Sequence, residues 1–185
     1  MVDVGFIGLG KLGLPIALAI ESKGHRVVAT DPADEPQRIL RNRQLEHREA
    51  GASALLEQTR LELLPLQETV RRSQLLFVTI ETPHAPEFEG VTRLPERTQG
   101  FDTSRLCAGM AELSRAIEQN GEDRIVVVVS TVLPGTIRRE IKPLMGPRSR
   151  LCYNPFFIAM GTAIADFLAP EFVLFGVDDD QAARA

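Results

Sequence analysis

The chain has 185 residues, 44% of them hydrophobic and 25% charged. That composition fits one globular core and argues against a disordered, collagen-like or low-complexity chain. A formal net charge of -4 argues against a nucleic acid partner. No run reaches the roughly 18 apolar residues of a membrane span, and no secretory signal opens the chain, so a cytoplasmic protein without a membrane partner is expected.

Residues 2–7 are apolar apart from Asp3 and Gly5 and predict a first strand, which runs into Gly8-Leu9-Gly10-Lys11-Leu12-Gly13. A helix should follow, with Leu12, Ile16, Ala19 and Ile20 on one face, Pro15 in its first turn and Lys23-Gly24 at its end. Residues 26–30 predict a second strand, which stops at Asp31-Pro32. The strongly charged stretch 34–72, with arginines at 38, 41, 43, 48 and 60, reads as solvated helices and a loop, with a short strand near residues 61–66. Residues 75–80 form a continuous apolar run, as in a strand covered on both faces.

Residues 81–100 carry three prolines and two glycines without a period and predict a long loop of the kind that is usually functional. Asp102 then caps a helix carrying Leu106, Met110, Leu113 and Ile117 and ending at Asn120-Gly121. Strands follow at 125–129, 151–153 and 172–175, with a helix from Pro134-Gly135-Thr136 to Met145 between the first two. Strands alternating with helices require right-handed crossovers, so the expected fold is a single α/β domain with a doubly wound, parallel, Rossmann-type sheet. Ligands of such sheets sit beyond the carboxyl ends of the strands, here marked by Gly8, Asp31, Thr82, Thr131 and Asn154.

A Gly-x-Gly-x-x-Gly turn between strand and helix brings bare backbone and helix N–H groups to a pyrophosphate. Asp31, about twenty residues on at the end of the next strand, completes a dinucleotide fingerprint: its carboxylate accepts adenosine ribose hydroxyls and repels a 2′-phosphate, which predicts NAD over NADP. Arg38, whose charge would offset Asp31, is read as facing water. Cys107 and Cys152 have no partner at disulfide or zinc spacing and read as core residues, and three histidines without ligand spacing predict no metal site.

Three later segments narrow the comparison: Thr82-Pro83, Ser130-Thr131-Val132-Leu133-Pro134-Gly135-Thr136, and Asn154-Pro155-Phe156-Phe157-Ile158-Ala159-Met160-Gly161. In order and context they resemble the NAD-binding domain of the UDP-glucose/GDP-mannose dehydrogenase family over nearly the whole chain. The resemblance implies oxidation of the primary alcohol of a nucleotide sugar by two hydride transfers to NAD, through an enzyme-bound thioester. It implies a dinucleotide site made of Gly8, Gly10, Lys11, Leu12, Gly13 and Asp31, with Thr82 and Thr131 towards the nicotinamide half.

Two departures qualify it. Phe156 and Met160 stand where the family has glutamates, the first an acid-base group and the second a contact to the cofactor ribose; neither side chain can take a proton, so no catalytic residue is assigned. The family's catalytic cysteine, lysine and asparagine lie in a connecting helix and a second domain. The expected division is therefore a dinucleotide domain over residues 1–176 and the start of a truncated connecting helix over 177–185, catalytically incomplete alone. The resemblance implies a homodimer for the full-length protein and a monomer for this domain. A 3-hydroxyacid dehydrogenase shares the opening motif but not the Ser-Thr-x-x-Pro-Gly-Thr element, and a non-enzymatic nucleotide-sensing module is the other alternative, prompted by Phe156 and Met160.

Overall fold

The computed structural model describes residues 1–45, 47–91, 93 and 96–177. Among the described residues seven strands form one sheet in the order β3-β2-β1-β4-β5-β6-β7. In chain order they are β1 (Asp3–Ile7), β2 (Arg26–Thr30), β3 (Glu62–Leu63), β4 (Leu75–Val78), β5 (Arg124–Val128), β6 (Ser149–Tyr153) and β7 (Gly176–Val177). The helices are α1 (Gly13–Ser22), α2 (Asp34–Asn42), α3 (Ala52–Gln58), α4 (Leu66–Arg72), α5 (Ser104–Asn120) and α6 (Ala163–Leu168). Among the described residues no helix is long and apolar enough to cross a membrane.

Strand alternation divides the core between the two faces of the sheet. Phe6, Phe77 and Val127 belong to one apolar cluster, with the buried side of α1, whereas Leu76, Val78, Val126 and Val128 belong to a second, with Leu106, Met110 and Leu113 of α5. Helix α1 packs with α3 and α6, and α4 with α5. The chain starts in the middle of the sheet, moves outward through β2 and β3, then returns to the other side of β1 as β4. That reversal between β1 and β4 is the topological switch point of a doubly wound sheet.

The first six strands are parallel, as a doubly wound sheet requires, and β7 adds one antiparallel strand at the edge beside β6. The strand expected at 172–175 is displaced to Gly176–Val177. The Asn154 side chain donates its Nδ2–H to the Leu174 carbonyl at 2.9 Å, so a side chain takes the acceptor that a ladder would use.

The helix expected from Pro134 to Met145 is instead a π-turn at Ile137–Ile141 followed by a 3₁₀ turn at Lys142–Leu144. Pro143 lacks the N–H that an α-helix would need there, and its ring opposes a continuous ladder. Asp102 acts one residue further out than a simple cap: its Oδ1 accepts the Ser104 N–H at 2.9 Å, and the Ser104 hydrogen bonds hold its carboxyl below the usual aspartate range. Cys152 is buried, and burial pushes its thiol up; Cys107 is half-buried. Residues 178–185, most of the expected connecting-helix start, lie outside the described residues.

Candidate functional site

Strand β1 delivers Gly8 to the switch point with φ +95°, a conformation open to glycine and strained for other residues. Its N–H donates to the Thr30 carbonyl at 2.9 Å, which ties the turn to the end of β2. Gly13 is enclosed: a Cβ there would stand 2.5 Å from Thr79 Oγ1 and 2.6 Å from the Gly8 carbonyl oxygen. The Thr79 hydroxyl itself donates to that carbonyl at 2.7 Å. Gly10 is different, since a Cβ there would meet only Glu81 Oε1, at 3.9 Å. Two glycines are thus closed in by the exit of β4, and the middle one leaves its backbone open to a ligand.

Helix α1 starts directly behind this turn, and no side chain caps it. The Leu14 N–H donates to the Gly10 carbonyl at 3.2 Å and Pro15 has no N–H, so the groups left for an anion are the N–H groups of Lys11, Leu12 and Gly13, where Lys11 is exposed and Leu12 half-buried. Asp31 closes the arrangement from β2. One oxygen accepts the Leu9 N–H of the turn at 2.6 Å and the other the Ala33 N–H at 2.8 Å. A carboxylate has about four lone-pair sites, so two bonds to backbone leave capacity for ribose hydroxyls. Arg38 is exposed on α2.

Thr82 and Thr131, which follow β4 and β5, are brought together: the Thr82 hydroxyl donates to the Thr131 carbonyl at 2.5 Å. The turn, Asp31 and the two threonines thus line one edge of the sheet. Bare backbone at Gly10, the backbone N–H groups of the turn ahead of α1 and a carboxylate on the neighbouring strand fit a dinucleotide's pyrophosphate and ribose.

The segment after β6 is built differently. Phe156 turns into the core, its ring centroid 6.4 Å from Phe77 and 5.2 Å from Phe167. Met160 is exposed. The buried Glu49 carboxylate holds this segment from the α2–α3 loop by accepting the Gly161 N–H at 3.0 Å and the Ile164 N–H at 3.1 Å, while the Ala50 N–H donates back to the Gly161 carbonyl at 2.9 Å. Asp166 accepts the Ala159 N–H and the Thr162 hydroxyl, both at 2.9 Å, and these bonds lower its pKa.

Sequence reasoning missed Thr79, Glu81 and Glu49. Thr79 carried a signal, because a hydroxyl inside a strand covered on both faces must find a partner. Glu49 carried none, since it sits in a run of charges that reads as solvated.

A depression of about 850 Å³ lies at the opposite edge of the sheet, among Asp3, Glu21, Arg26, Arg60 and Arg72. Its charges are largely committed: Arg26 pairs with Asp3, Arg72 with Glu62 and Glu68, and Glu21 accepts the Thr59 hydroxyl and the Arg60 N–H.

The family model of the UDP-glucose/GDP-mannose dehydrogenase family, NAD binding domain, matches residues 2–185. The GDP-mannose 6-dehydrogenase of Pseudomonas aeruginosa is 26% identical over 191 residues, covering 96% of this chain and 41% of its own length. The UDP-glucose 6-dehydrogenase of Haloferax volcanii is 24% identical over 192 residues, covering 98% of this chain and 42% of its own. Among solved structures, a UDP-glucose dehydrogenase from Pyrobaculum islandicum matches 100% of this chain and 42% of that one, with a TM-score of 0.82 at 28% identity. A ternary complex of GDP-mannose dehydrogenase from Pseudomonas aeruginosa gives 0.84 at 26% identity, over 98% of this chain and 42% of that one. The chain spans about two fifths of the length of these relatives.

Proposed function

The chain belongs to the UDP-glucose/GDP-mannose dehydrogenase family, of which it is the NAD-binding domain, and from that premise we propose that it grips NAD along the carboxyl edge of β2, β1, β4 and β5. Gly8, Gly10, Lys11, Leu12 and Gly13 cradle the pyrophosphate, Asp31 accepts the adenosine ribose hydroxyls, and Thr82 and Thr131 contact the nicotinamide half. The observation that supports this most is the 2.6 Å bond from the Leu9 N–H to Asp31, which couples the phosphate turn to the carboxylate that would read the ribose. Each needs the other in place, so the site is organised before a ligand arrives.

Bound NAD supplies the hydride acceptor. In a protein of the relatives' full length, we assign the hydride donor to the primary alcohol of a nucleotide sugar, in the class named by UDP-glucose and GDP-mannose. Alcohol oxidation also needs an acceptor for the hydroxyl proton. Phe156 and Met160 provide none, so that group comes from another position.

Calorimetric titration of this chain with NAD, NADP and ADP-ribose tests the reading. NAD and ADP-ribose are expected to bind, and NADP about tenfold or more weakly, because its 2′-phosphate would face Asp31. Failure of both NAD and ADP-ribose to bind overturns it.

A further inference from the structure

The exit of β4 is stacked on the glycine turn residue by residue. Gly8 faces the Thr79 carbonyl, Gly13 faces the Thr79 hydroxyl, and Gly10 faces the carboxylate of Glu81. The backbone that carries Glu81 is held on both sides: the Thr79 N–H donates to the Ile7 carbonyl at 3.0 Å, and the Thr82 hydroxyl to the Thr131 carbonyl at 2.5 Å. Glu81 therefore hangs from a fixed point at the rim of the turn.

Its acceptor capacity is unspent. Asp31, Glu49 and Asp166, the carboxylates of neighbouring loops, each accept two hydrogen bonds from the protein. Among the described residues Glu81 makes only an ion contact, with Arg105 of α5 at 3.8 Å, and both side chains are at least 70% exposed. A pair that open contributes little and exchanges readily for a ligand.

The chemistry that suits this carboxylate is a pair of hydroxyls. A phosphate would be repelled by it, whereas a ribose diol donates two hydrogen bonds to one carboxylate. Strands β2 and β4 flank β1, so Asp31 and Glu81 stand on opposite sides of the turn. In a dinucleotide two riboses likewise stand on opposite sides of the pyrophosphate. We infer that Glu81 accepts the hydroxyls of the nicotinamide-side ribose, as Asp31 accepts those of the adenosine ribose, so that two carboxylates clamp the cofactor across the glycine turn.

This inference rests on NAD binding at the turn, and the test separates the two. Wild type and Glu81→Gln are titrated with NAD, ADP-ribose and ADP, with a thermal melt of each protein alone. ADP-ribose keeps the second ribose, and ADP lacks it. Glu81→Gln is expected to weaken NAD and ADP-ribose about tenfold, the scale of one charge-assisted hydrogen bond, and to leave ADP affinity and the melting temperature unchanged. An equal loss for all three ligands overturns the inference, because Glu81 would then only shape the turn. Unchanged or tighter NAD binding overturns it too, because Glu81 would then be idle or repel the phosphates. If wild type binds none of the three, the cofactor reading itself fails; in the other two outcomes it stands.

Discussion

The glycine turn and the segment after β6 are both loops at the carboxyl edge of one sheet, yet they are finished to different degrees. Around the turn, every contact that shapes the backbone comes from elements next to it: Thr30 of β2, Thr79 beyond β4, Asp31 beyond β2. Helix α1 behind it is buried from Gly13 to Ile20. After β6, Phe157, Met160 and residues 172–175 are all more than half exposed, and Phe157 finds mainly Phe172, at 4.5 Å between ring centroids. Phe156 anchors that segment in the core, and the rest is held by polar ties from Glu49, Asn154 and Asp166. A site for a cofactor can be complete within this sheet, while an apolar loop at its end stays open to something else. The comparison predicts that damage to the first region abolishes ligand binding and damage to the second does not.

The largest effect is expected at Gly13. A Cβ there would overlap the Gly8 carbonyl as well as the Thr79 hydroxyl, and a backbone atom cannot swing aside as a side-chain end can. Gly13→Val should abolish NAD binding by calorimetry and destabilise the fold by about 1–3 kcal/mol in denaturant titration, the usual cost of overpacking. Retained NAD affinity would break the claim that this enclosure shapes the site.

Glu49 sharpens the contrast from the other side. Glu49→Ala leaves the Gly161 and Ile164 N–H groups without their acceptor, and an orphaned buried donor costs about 1–3 kcal/mol. Denaturant titration should show that loss, and proteolysis should attack near residue 161 sooner, while NAD affinity holds. A parallel fall in NAD affinity would show that the two regions are coupled.

How much of this was legible depends on how local each cause is. The bounds of β2 could be read because Gly24 and Pro32 bracket a short run with the β-formers Val27, Val28 and Thr30, and the turn because glycine spacing is itself the signal. The helix drawn from Pro134 to Met145 overlooked Pro143, a local signal that was present. Phe172 to Phe175 read as a strand from their apolar character, but Asn154 lies 20 residues away and takes the Leu174 carbonyl. Glu49 and Gly161 are 112 residues apart and meet only when the sheet has formed. Glu81 reads as the first residue of a loop, and its meaning appears only when β4 lies beside β1. Such pairings follow from sheet order, which no window of sequence contains.

The smallest effect expected is electrostatic and again confined to the segment after β6. Bonds from the Ala159 N–H and then the Thr162 hydroxyl lower the Asp166 pKa below its ordinary value. The carboxylate therefore binds protons less readily in the folded chain than in the unfolded one. Its contribution is fully present above the unfolded value and is lost as pH falls through the folded one. Acidification should thus loosen residues 159–162 before the rest of the sheet. In Asp166→Asn the melting temperature should depend less on pH below the ordinary aspartate value, with no change near neutrality in NAD affinity. If the variant and the wild type have parallel pH curves in that acid range, Asp166 does not tie this loop, and the polar anchoring of the segment falls to Glu49 and Asn154.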